Sequence, residues 1–174
     1  MTYLRFIVCP AVALLALPIV LPPATANAAP GRSGAALETI TYETGPCFGV
    51  CPVYRVTVSP DGRGVFEGKR FTAVTGKRAF RIDPKTFAEF SRRMRGVRPV
   101  GEVLLTGGDL CKMMATDMAT IDVRWTGGHR PAHLAYNLGC DRERYGWKAN
   151  VLQKAITVLP VAKFIGPREG FHGR

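Results

Sequence analysis

Cys47 and Cys51 enclose three residues, a spacing that suits either thiol–disulfide exchange or a small covalent staple. Exchange needs an exposed thiol with a depressed pKa and a partner close enough to resolve the mixed disulfide. The usual redox motif has two intervening residues, and no thioredoxin-like βαβ pattern surrounds this pair, so a staple on the loop is the simpler reading. Cys111 and Cys140 then pair with each other. In the chain-entropy model the small loop contributes about 2 kcal/mol, and closing about thirty residues contributes about 3–4 kcal/mol.

His129 and His133, with three residues between them, invite a zinc reading in combination with Cys47 and Cys51. Zinc fingers space such histidines along one helical turn, but here Pro131 separates them and Gly127-Gly128 precedes them, the pattern of a hairpin. Four residues along a strand span roughly 13 Å, too far for one ion. No metal site is therefore assigned, and no cofactor is implied. Asp117 and His133 form the one attractive acid–base pair. No Gly-x-Ser-x-Gly, His-Glu-x-x-His or glycine-rich phosphate loop accompanies them, so no catalytic residue is assigned. Asp117 is more simply a loop residue that accepts backbone N–H groups. Tyr54 and Tyr136 read as core or edge residues.

Charge is the remaining chemical signal. The chain carries 24 Lys or Arg against 13 Asp or Glu, a net +11. Residues 63–98 hold eleven of those cations and only Glu67, Asp83 and Glu89, a local net of +8. Lys69, Arg70, Lys77, Arg78, Arg81, Arg92 and Arg93 are the candidate anion-binding residues, with Arg95 beside them. The bland alternative is a solvated cationic face that serves solubility.

Met1 to Ala28 reads as a secretory signal peptide: Arg5 in a short n-region, an apolar run from Phe6 to Leu21, then Ala26-Asn27-Ala28 as the processing site. Ala24-Thr25-Ala26 is a second candidate site. Pro10 and Pro18 inside the run count against an uncleaved anchor. Processing removes Cys9 and leaves an even four cysteines, the count expected of disulfides in an oxidising compartment. The expectation is an extracytoplasmic protein, periplasmic or secreted, without a transmembrane segment in the mature chain. No nucleic-acid partner is expected of an exported protein.

These residues need elements to hold them. Ala29 to Ala36 is expected as a flexible leader. Glu38–Thr44 alternates through Ile40 and Tyr42 as a first strand. Val53–Ser59 places Tyr54, Val56 and Val58 on one face; Pro60-Asp61-Gly62 reverses it into Arg63–Lys69. Lys77–Ile82 is a further strand. Asp83-Pro84 starts a helix with Phe87, Phe90 and Met94 on one stripe, stopped at Gly96. Residues 97–118 are expected as a long loop. Ile121, Val123 and Trp125 alternate, Gly127-Gly128 turns the chain, and Ala132–Leu138 pairs back. Trp147–Leu159 has helical spacing, ended by Pro160, and residues 161–174 are expected as an extended tail. This predicts an α+β fold over 37–160: an antiparallel sheet of hairpins, braced by disulfides, with two helices packed on one face.

The segment Thr44-Gly45-Pro46-Cys47-Phe48-Gly49-Val50-Cys51-Pro52-Val53-Tyr54, followed by a strand, an Asp-Gly turn and Phe66-Glu67-Gly68, resembles the bacterial domain of unknown function family 6438. Ala115-Thr116-Asp117 and Gly139-Cys140 add to the likeness, which covers about residues 37–160. The resemblance implies a small, often exported α+β domain and carries over no reaction. The functional expectation is an exported non-catalytic domain that binds an anionic envelope component or a protein partner. The alternative is a thiol–disulfide oxidoreductase using Cys47 and Cys51.

Overall fold

The computed structural model describes residues 37–167. The expected signal peptide, the leader at 29–36 and the last seven residues of the tail lie outside the described residues. Alternation of apolar and polar side chains produces the strands β1 (Thr39–Thr44), β2 (Val53–Val58) and β3 (Arg63–Arg70), and the mostly exposed β4 (Gly76–Arg81) pairs on β3. After helix α1 (Pro84–Met94) come β5 (Gly101–Leu105), β6 (Thr120–Thr126) and β7 (Ala132–Asn137). Helices α2 (Arg142–Ala155) and α3 (Ala162–Ile165) complete the chain.

All seven strands form one sheet in the order β4-β3-β2-β1-β6-β7-β5. Every neighbouring pair is antiparallel except β5 and β7, which run parallel. The β2–β3 reversal is a tight turn in which the Gly62 amide donates to the Ser59 carbonyl at 3.0 Å. Gly62 sits at φ +83°, and a Cβ there would lie 2.4 Å from the Ile82 carbonyl oxygen, so only glycine serves.

One face of the sheet is the core. Ile40, Tyr42, Val56, Phe66, Val123 and Leu134 point into it, and Phe90 and Met94 of α1 meet Leu152 and Ala155 of α2 above them. Asp83 caps α1: its Oδ1 accepts the Thr86 amide at 2.8 Å, and Pro84 follows at the first helical position. The other face is open to solvent and carries polar rows.

Three segments differ from the sequence expectation. Residues 97–118 are not one loop, because Gly101–Leu105 adds β5 to the far edge of the sheet, in register with Ala132–Tyr136. Leu104 faces outward there, which hides the alternation of a five-residue strand. The second helix starts at Arg142, five residues before the apolar stripe declares itself, because its opening Arg142-Glu143-Arg144-Tyr145-Gly146 is mainly charged. Asp141 precedes it without a side-chain cap, its carboxylate being bonded elsewhere. Beyond Pro160 the chain makes the short turn α3 rather than an extended start to the tail. Phe164 packs on Phe66 with ring centroids 5.4 Å apart, and Ala73 and Val74 donate their amides to the carbonyls of Ile165 and Phe164.

Candidate functional site

The sheet splits the basic stretch into groups with different electrostatic company. Lys69 bonds Glu43, whose other oxygen takes Arg55 at 2.7 Å. Burial pushes the Glu43 pKa up, but the two cations outweigh it and hold the carboxyl below its ordinary value. Arg92 and Arg93 both bond Glu89 at 2.7 Å along α1, and Arg93 also reaches the Lys154 carbonyl of α2 at 3.2 Å. These pairs are exposed or half-exposed and stabilise little.

Arg70, Lys77, Arg78 and Arg81 are different. All four are exposed, and among the described residues none has a carboxylate within ion-pair distance. Arg70 ends β3 and lies over the Phe71 ring, 4.6 Å from its centroid. The other three sit on β4, the edge strand. Register puts Lys77 opposite Glu67 and Arg81 opposite Arg63 on the outer face, while Arg78 shares the side of Phe66 and bonds the Lys77 carbonyl. Arg63 is held by Asp61 at 2.6 Å, so Arg81 faces a cation that is neutralised from elsewhere. The structure thus brings four of the seven candidate cations to one edge and commits Lys69, Arg92 and Arg93 to acids.

His133 and Asp117 are not partners. Asp117 lies in the loop before β6, where its carbonyl accepts the Phe48 amide at 3.0 Å. His133 projects from β7 on the outer face and is clasped by two other carboxylates. Its Nδ1 is 2.6 Å from Glu102 on β5, and its Nε2 is 2.7 Å from Asp122 on β6. Burial lowers the pKa of the ring, but Asp122 and Glu102 more than offset this and the net shift is upward. Both ring nitrogens face acceptors, so the imidazolium form fits and neither nitrogen is free to take a proton from a substrate. Sequence reasoning missed Glu102 because it sits on the unexpected strand β5.

Cys47 bonds Cys51 in the loop between β1 and β2, with Cα atoms 5.8 Å apart. Cys111 bonds Cys140, with Cα atoms 5.3 Å apart, tying the loop after β5 to the start of α2. The Asp141 carboxylate adds to this tie by accepting the amides of Lys112 and Met113 at 3.0 and 2.8 Å. Neither Cys47 nor Cys51 lies at a helix N-terminus, where a thiolate gains stabilisation. Tyr54 and Tyr136 are buried in the core. No helix among the described residues is long and apolar enough to cross a membrane.

No curated protein matches the chain. The family described as Domain of unknown function (DUF6438) matches residues 38–155. That span runs from the start of β1 to the end of α2, and so contains the whole sheet, both long helices and both disulfides. The chain belongs to the DUF6438 family.

Proposed function

We propose that this domain is an extracytoplasmic, non-catalytic recognition module that binds an anionic component of the cell envelope along its β3–β4 edge. The observation that carries the reading is the company of the cations. Arg70, Lys77, Arg78 and Arg81 are exposed together without a carboxylate partner among the described residues, whereas Arg55, Arg63, Lys69, Arg92 and Arg93 are each paired. Unpaired cations along one edge set up a local field that attracts a polyanion and costs the fold little. Cations on an edge strand also discourage edge-to-edge aggregation, which is the purely protective account of the same residues. Two disulfides suit an oxidising compartment and support the extracytoplasmic location.

Long-chain inorganic polyphosphate is a suitable probe, titrated against the full chain. Gln substitution of Arg70, Lys77 and Arg81 is expected to weaken binding about tenfold or more, since each substitution removes a charge-assisted bond to phosphate. Gln substitution of Lys85, Arg130 and Lys154 removes the same formal charge elsewhere and is expected to change affinity less than about twofold. Equal losses from both sets would assign binding to net charge and overturn the edge as a site.

A further inference from the structure

The alternating strand directions put four connections at the same end of the sheet: 45–52, 71–75, 106–119 and 138–141. Both disulfides are at this end. So are five of the ten exposed large hydrophobic side chains among the described residues: Phe48, Val50, Phe71, Leu110 and Met113. The half of this rim above β2, β3 and β4 combines the two properties that a bilayer surface rewards. Phe48 is 92% exposed and Val50 68% exposed, on a loop that the Cys47–Cys51 bond holds shut. Val53, which leads out of that loop, pairs with Arg70, which leads into the next one, so Phe71 and its overlying guanidinium stand beside the stapled tip. Lys77 follows at the start of β4.

We propose that this corner inserts Phe48, Val50 and Phe71 into the headgroup–acyl boundary of an anionic bilayer, with Arg70 and Lys77 on lipid phosphates. The inference rests on the anionic-surface reading above and names the surface. Three apolar tips on two adjacent loops make a set of projections rather than a groove, which suits a deformable lipid interface better than a shaped protein partner. Peripheral attachment of this kind needs two signals, buried apolar area and cationic attraction, and both converge here. The staple lowers the ordering cost of presenting Phe48 and Val50. The 106–119 loop, with Asp109 and Asp117 against Lys112 as its one cation, lacks the cationic excess. It borders the tip, where the Asp117 carbonyl accepts the Phe48 amide at 3.0 Å, and supplies no side chain to the proposed footprint.

The test is local, so it reads the tip whatever else the chain touches. Phe48→Trp is introduced into a full chain carrying Trp147→Phe, which leaves buried Trp125 as the other indole. With vesicles of phosphatidylethanolamine and phosphatidylglycerol, the expected result is a blue shift of the tip fluorescence and quenching by brominated acyl chains. Neither is expected with pure phosphatidylcholine. Phe48→Ser with Val50→Ser should lower vesicle affinity about tenfold or more, and leave polyphosphate binding within about twofold, because both side chains are exposed and uncharged. Polyphosphate binding without any tip insertion would overturn this inference and leave the edge reading standing. Insertion that is equal in neutral vesicles would overturn the anionic part of it. Absence of binding to polyphosphate and to vesicles alike would overturn both.

Discussion

Nδ1 of His133 lies 2.6 Å from Oε2 of Glu102, and this contact joins the parallel edge strand β5 to the rest of the outer face. The same imidazole meets Asp122 through its other nitrogen, with Arg124 of β6 bonded to Asp122 at 3.0 Å as the nearby cation. A histidine whose folded pKa is raised stabilises most below its unfolded value of about 6.5, and the contribution is lost as pH rises through the folded value.

The urea midpoint of the wild type should therefore fall as pH is raised from about 6 through the upshifted histidine range. His133→Gln should flatten that segment of the profile, while lowering stability chiefly at the acidic end. A profile unchanged by the substitution would contradict the clasp.

Gly68 pairs with Gly76 where β3 leads toward the loop that carries Phe71. A Cβ at Gly68 would stand 1.8 Å from the Val74 carbonyl oxygen and 2.6 Å from Thr72 Oγ1. The carbonyl is backbone and cannot swing aside, so Gly68→Ala must move the 71–75 loop. A loss of about 1–3 kcal/mol is expected in urea denaturation, with increased proteolysis in that loop. Gly96→Ala is the comparison, since nothing lies within 4 Å of its added Cβ.

The two disulfides should separate by loop size. Replacing Cys111 and Cys140 with Ala opens a sequence separation of 29 residues and should cost about 3–4 kcal/mol. Replacing Cys47 and Cys51 opens a separation of 4 and should cost about 2 kcal/mol. Equal losses would mean that local packing, rather than unfolded-state entropy, sets their value.

Much of the sheet was legible because period-two alternation is strong where one face is buried. Tyr54, Val56 and Val58 lie buried on β2 as the pattern demands, and Asp83-Pro84 marks the start of α1. Strand β5 was not legible. Five residues with an outward Leu104 do not declare a period, and its partner β7 lies about thirty residues away in the chain. The start of α2 was hidden because its first turns, Arg142 to Gly146, are mainly charged and include a glycine, so no apolar stripe shows before Trp147. Candidate cations could be located from composition, but their pairing could not. Lys69 meets Glu43 across 26 residues, and only the strand order brings them together. The exposure of Phe48 and Val50 was equally invisible, since an apolar residue between two cysteines reads as core or tip alike.

The central claim is that unpaired cations on the β3–β4 edge recognise an anionic surface, and the salt dependence of polyphosphate affinity tests it most directly. Affinity of the wild-type chain should fall steeply between about 50 and 200 mM salt, linear on logarithmic axes. Gln at Arg70, Lys77 and Arg81 should reduce that slope by about one for each phosphate no longer neutralised, with circular dichroism unchanged. A slope that these substitutions leave intact, or a wild type that binds no polyphosphate at low salt, would contradict the account.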